Sequence, residues 1–165
     1  EMSASLVGSE MCIRDRWERI GKITNWDLVI IGDGCIRQKL EQTVRDKQIQ
    51  RVSFTGQVNH PEEYYKSAKI ILLTSSFEGF PMCLIEALRF GVIPLTFDIS
   101  AGVRSIVSNS GGIIIKNRNS NEMFLKLQEL INNKYLHSLS EKARLKSNRY
   151  TLNRIGEQWI NLLRK

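Results

Sequence analysis

The run Ile70-Ile71-Leu72-Leu73 contains no polar residue, so both faces of any strand it forms must be covered. That requirement is met inside a parallel sheet with helices on each side. The surrounding chain repeats the arrangement. Apolar strands are expected at 27–31, 52–55, 69–74, 93–97 and 113–115. Between them lie helical patterns at 36–47, 61–68 and 81–90, and a short one through Ile106. Ile36, Leu40 and Val44 fall on one face of the first at four-residue steps. Pro61 and Pro81 open helices, where a missing amide costs nothing, and Gly91 supplies a left-handed cap. Three helices follow, at 120–131, 134–147 and 151–163. Such alternation predicts an α/β fold, a doubly wound parallel sheet with right-handed crossovers and additional C-terminal helices.

Length and composition narrow the function classes. The 165 residues suffice for one domain with a proper core. No apolar run approaches a membrane span, and no secretory signal opens the chain. Cys12, Cys35 and Cys83 are odd in number and lack metal-ligand spacing, which reads as reduced thiols in a cytoplasmic protein. Cys83 reads as a small core residue of its helix. The net charge of +7 is concentrated near the end: residues 134–165 carry eight Lys/Arg against two Glu. That basic tail fits a solvated helix face, an acidic neighbouring domain, or peripheral contact with an inner membrane face. No aromatic interleaving or nucleic-acid motif accompanies it, so nucleic acid is not expected as a partner.

The chemistry gathers where residues 69–74 hand over to the next helix. Glu78 and Glu86 stand eight positions apart around Gly79-Phe80-Pro81. Unpaired amides at a helix start, a glycine allowing close backbone approach and two carboxylates can together hold a diphosphate and sugar hydroxyls. Taken singly, Glu86 also fits a solvent-facing glutamate near a helix N-terminus.

The stretch Ser75-Ser76-Phe77-Glu78-Gly79-Phe80-Pro81, continuing to Glu86-Ala87-Leu88, resembles the E-x7-E motif of retaining, family-4-type glycosyltransferases of the GT-B fold. From Trp17 onward the chain is similar to their C-terminal, nucleotide-sugar-binding half. Val29-Ile30-Ile31-Gly32-Asp33-Gly34 resembles that half's second strand and Gly-x-Gly turn. Val52-Ser53-Phe54-Thr55-Gly56 resembles the third strand, and Gly102-Val103-Arg104 a segment after the motif helix. The resemblance implies a transferase that moves a sugar from a nucleotide diphosphate sugar to a glycan or lipid-linked acceptor, in polysaccharide biosynthesis. It implies no resident cofactor or metal, since the nucleotide sugar is the donor substrate.

By that resemblance Glu78 is the catalytic carboxylate, contacting the transferred sugar and steadying an oxocarbenium-like transition state. Donor-binding residues are Ser76, Gly79, Phe80, Pro81 and Glu86, with Gly32, Gly34, Gly56 and Arg104. Glu86 would accept the ribose hydroxyls. Arg104 either approaches the donor or ties down its own loop. Gly32-Asp33-Gly34 lacks the third glycine of a dinucleotide fingerprint, Arg37 standing near its place, so it reads equally as a turn. His60 and His137 have no partner spacing. Ser105 replaces a glutamate that often follows the arginine.

Two departures shape the expected organisation. Residues 1–16 lack helical or strand periodicity and resemble translated sequencing-adapter read-through. They are set apart as a non-native leader before a donor-binding domain at 17–165. The family's first strand of this half, its Gly-Arg-x-x-x-x-Lys-Gly-type segment and the acceptor-binding domain are then all missing. In a sheet ordered 3-2-1-4-5-6 the lost strand is central. Each orphaned buried backbone group costs on the order of 1–3 kcal/mol, so the chain alone is expected to be marginal or aggregation-prone. It is also expected to be inactive alone. Leu6-Val7-Gly8 is an opportunistic filler of the gap. The alternatives are half of a GT-B epimerase or phosphorylase, which lacks this motif context, and a non-catalytic nucleotide-binding module.

Overall fold

A computed structural model describes residues 17–18, 21 and 24–164 of the chain, and residues 2–5 as backbone. The strands are β1 (Met2–Ser5), β2 (Leu28–Ile31), β3 (Val52–Gly56), β4 (Ile70–Leu73), β5 (Ile93–Phe97) and β6 (Ile113–Ile115). The α-helices are α1 (Arg37–Asp46), α2 (Glu62–Ser67), α3 (Met82–Arg89), α4 (Ala101–Val107), α5 (Ser120–Ile131), α6 (Leu136–Ser147) and α7 (Leu152–Leu163). Every strand pairing between these elements is parallel. Hydrogen-bonded ladders join β1-β2-β3 and β4-β5-β6, and β1 lies alongside β4. The sequence of strands is therefore the doubly wound 3-2-1-4-5-6.

One expectation is corrected. The centre of the sheet is not vacant: Met2–Ser5, inside the stretch set aside as a leader, pairs in register with Leu28–Ile31. The reason is that a ladder is made of backbone N–H and C=O groups, which every non-proline residue carries. Two apolar strands flanking a gap therefore recruit any extended segment, whatever its side-chain periodicity. With β1 in place, the argument for a destabilising gap beside β2 no longer holds. Leu6-Val7-Gly8 and the rest of the leader lie outside the described residues. Trp17 and Glu18 are helical.

Successive strand residues feed opposite layers. Ile70, Leu72, Ile93, Leu95 and Phe97 join a core with Leu28, Trp17 and the apolar face of α5 (Met123, Phe124, Leu127, Leu130). Ile71 and Leu73 join the other, against Tyr65 of α2, Leu84 and Leu88 of α3, Val103 and Ile106 of α4, and Ala143 of α6. All four β4 residues are fully buried, as an unbroken apolar run demands. Fully burying each such side chain is worth about 1.5–3 kcal/mol. In α1, Leu40 is buried and Val44 packs partly, whereas Ile36 remains outside as the N-cap and is exposed. The end of α3 follows the sequence: Gly91 takes φ 76°, and a side chain there would meet Ser140 and Arg144 of α6. By contrast, α7 has no buried residue, and Leu152, Trp159, Ile160, Leu162 and Leu163 are all exposed.

Candidate functional site

The site is built at the carboxyl end of β4. The strand stops at Leu73, the chain runs as a non-helical loop through Pro81, and α3 starts at Met82. Pro81 is the N-cap of α3, with φ −71° and ψ 105°, and offers no side-chain cap. The first-turn amides are thus not claimed by a capping side chain, and the positive end of the helix dipole faces the loop. The neighbouring α4 is closed instead: Ser100 Oγ accepts from the Val103 amide at 3.1 Å.

Each glutamate has its own hydroxyl donor. Ser75, 1% exposed, donates from Oγ to Glu78 Oε1 at 2.9 Å. Tyr65, 4% exposed and carried by α2, donates from its hydroxyl to Glu86 Oε2 at 3.5 Å. Cys83, on the first turn of α3, has its thiol pushed up to about 11 by burial, then by Glu78, then by Glu86. Both carboxylates therefore project their fields onto one group on the first turn of α3. Burial, with smaller contributions from Cys83 and Glu86, also raises the Tyr65 phenol, which keeps its proton and remains a donor. Among the described residues neither Glu78 nor Glu86 enters an ion pair.

The loop is tied from α4. Ser100 Oγ donates to the Gly79 carbonyl at 3.2 Å. Gly102 packs so closely that a Cβ there would overlap the Gly79 carbonyl oxygen and lie 3.0 Å from Phe80 Cδ2. Phe80 meets Tyr150 edge-on at 6.0 Å between centroids, and Tyr150 donates to the Ser105 carbonyl at 3.3 Å. Pro81 is buried, whereas Gly79, Phe80 and Met82 are exposed and Phe77 is 81% exposed. Exposed apolar side chains thus stand on both sides of Glu78 along the loop. Glu86 opens onto a recess of about 550 Å³ between α2 and α3, lined also by Asn59, Glu62, Tyr65, Arg89 and Phe90.

Other expected site residues make contacts of their own. Gly32 and Gly34 line a small recess with Ile30, Ile36 and Phe54 at the ends of β2 and β3. There Asp33 accepts from the Gly34 amide at 2.8 Å and pairs with Arg37 at 3.4 Å. Gly56 lies against the Arg37 guanidinium. Arg104 donates to Asp98 at 2.6 Å, the contact that the loop-tying alternative calls for. Ser76 is exposed, and its neighbour Ser75 is the serine bonded to Glu78. The spacing Ser-x-x-Glu pointed to Ser75. No site role was expected for Tyr65, Ser100 or Gly102, because the contact of Tyr65 to Glu86 and those of Ser100 and Gly102 to the loop are made only in three dimensions.

Residues 15–148 match the family described as glycosyl transferases group 1. The chain belongs to that family. An uncharacterized glycosyltransferase of Haemophilus influenzae is 34% identical over 151 residues, 89% of this chain and 43% of that protein. The poly(ribitol-phosphate) alpha-N-acetylglucosaminyltransferase of Staphylococcus aureus is 31% identical over 137 residues, 81% of this chain and 28% of its own length. The crystal structure of a mutant of S. aureus TarM, in complex with fondaparinux, alpha-GlcNAc-glycerol and UDP, superposes with a TM-score of 0.82 at 28% identity. It is matched over 99% of this chain and 35% of its own. The chain thus spans less than half the length of each of these proteins. Its Rossmann-like sheet is the architecture of a domain of these GT-B transferases.

Proposed function

We propose that the chain is the donor-binding half of a retaining glycosyltransferase that uses a nucleotide diphosphate sugar. One observation carries the reading: Glu78 in the loop before α3 and Glu86 on α3 are each held by a hydroxyl of a buried residue, and among the described residues neither enters an ion pair. Carboxylates free of cations are able to accept ligand hydroxyls. Glu86 takes the ribose diol at its recess, and Glu78 takes hydroxyls of the transferred sugar. Positive charge growing at the anomeric carbon is steadied by the Glu78 carboxylate. Negative charge growing on the departing diphosphate is steadied by the α3 dipole and the exposed backbone at Gly79 and Phe80.

The acceptor is a glycan or lipid-linked sugar, bound by a further domain of a longer protein. The exposed apolar side chains of Phe77, Phe80 and Met82 and the uncovered face of α7 support a neighbour of that kind. No helix among the described residues is long and apolar enough to cross a membrane. The basic residues beyond Lys134 suit a site of action at the inner membrane face. The chain by itself binds donor weakly and does not turn it over. The test is titration calorimetry with UDP, GDP and ADP. Glu86→Ala is expected to remove any signal, and a variant that binds like the parent would show that the ribose assignment is wrong.

A further inference from the structure

We infer that Tyr65 is a positioning residue that holds Glu86 in the rotamer needed to receive a ribose 2′,3′-diol, a role resting on the nucleotide-sugar reading above. Glu86 sits on a helix surface, where three side-chain torsions leave its carboxylate many orientations. Tyr65 has almost no such freedom. Its ring is 4% exposed, packed in the core formed by β4, α3 and α4, and tilted against Phe90 at 6.0 Å. The hydroxyl is therefore a fixed donor, delivered from α2, an element separate from the one carrying Glu86. A buried phenol needs a hydrogen-bond partner, and Glu86 Oε2 is the partner found.

The contact leaves Glu86 open to ligand. At 3.5 Å it is long for a hydroxyl–carboxylate bond. A carboxylate has about four acceptor positions, so one donation from Tyr65 leaves the others for ligand. The recess beyond Glu86 is walled by Tyr65 itself together with Asn59, Glu62, Arg89 and Phe90. A nucleoside entering there meets a carboxylate whose direction is already set. The consequence is discrimination: the diol should be read by both hydroxyls, and a 2′-deoxy nucleotide should be penalised.

The test compares UDP, GDP and ADP with their 2′-deoxy counterparts on the full chain, by titration calorimetry and by NMR shift perturbation. Tyr65→Phe keeps the ring and removes only the donor. It should lose about three- to tenfold of the ribose-over-deoxyribose preference, the scale of one hydrogen bond. Tyr64→Phe, at the half-buried neighbouring position on α2, should keep the parent's preference. An unchanged preference in Tyr65→Phe overturns the inference and leaves the nucleotide-sugar reading standing. Equal weakening of ribo and deoxy ligands also overturns it, because that is the signature of a merely structural role. A parent chain that binds no nucleoside diphosphate at all overturns both.

Discussion

Gly102→Ala leaves every residue assigned to ligand unchanged in identity but presses on two of them, Gly79 and Phe80. A Cβ at 102 would overlap the Gly79 carbonyl oxygen and approach the Gly79 carbonyl carbon to 3.2 Å. The obstacle is backbone, so no rotamer change relieves it, and either α4 or the 78–81 loop must shift. Overpacking of this kind costs about 1–3 kcal/mol. Alanine also gains roughly 1 kcal/mol over glycine in a helix interior, which hides part of the clash. Gly156→Ala removes that ambiguity: Gly156 lies within α7 with nothing inside 4 Å of where its Cβ would stand, so it shows the propensity gain alone. The difference between the two variants isolates the clash. At about 2–4 °C per kcal/mol for a chain of this size, Gly102→Ala should melt roughly 2–12 °C below Gly156→Ala. Nucleoside diphosphate affinity, followed by NMR shift perturbation at residues 78–86, should fall about tenfold in Gly102→Ala, since a loop displaced by even an ångström loses aligned donors. In Gly156→Ala it should not change. Two variants melting together and binding alike would refute the claim that α4 sets the loop.

Further outcomes follow from the same geometry. Ser100→Ala removes both the α4 cap and the tie to Gly79, and should cost about 1 kcal/mol by thermal melting along with part of the nucleotide affinity. Iodoacetamide mapping at pH 8 should label exposed Cys35 quickly and Cys83 slowly. Raising the Cys83 thiol from 9.0 to about 11 cuts its thiolate fraction about a hundredfold. Equal labelling of the two would contradict the burial and the acidic surroundings assigned to Cys83. Because the folded thiol holds its proton more tightly than the unfolded one, this group's contribution to stability is full below pH 9 and is lost as pH climbs towards about 11. A denaturant series over that range should show the decline, and Cys83→Ala should show less of it.

Much of the frame was readable in the residues, and the reasons are local. An unbroken apolar run announced β4 and a largely apolar one β5, and Pro61, Pro81 and Gly91 marked helix limits that the structure reproduces to within a residue. The Glu78/Glu86 spacing pointed to the turn between β4 and α3, where each acid accepts from a buried hydroxyl. What stayed hidden depends on distant pairing. β1 is recruited by backbone hydrogen bonding, which leaves no mark in side-chain periodicity. Tyr65 stands 21 residues from Glu86, and Gly102 stands 23 from Gly79; neither contact has a sequence pattern. Arg37 lying against Gly56 is hidden for the same reason.

The charge arrangement gives the strongest physical argument for the site. The chain carries +7, and elsewhere several of its acids are met by cations: Asp98 by Arg104, Asp27 by Arg51, Glu41 by Arg37. Glu78 and Glu86 instead receive neutral hydroxyls from buried residues, Ser75 and Tyr65. A neutral donor fixes a carboxylate's direction while leaving its charge uncompensated, so the remaining lone pairs stay available to an incoming polyol. A salt-bridged glutamate would have to give up its partner first. Two such acids beside one uncapped helix start present negative charge to sugar hydroxyls and a positive dipole to phosphate side by side. A nucleotide sugar, polyol at both ends and anionic between, matches that division of labour along its length.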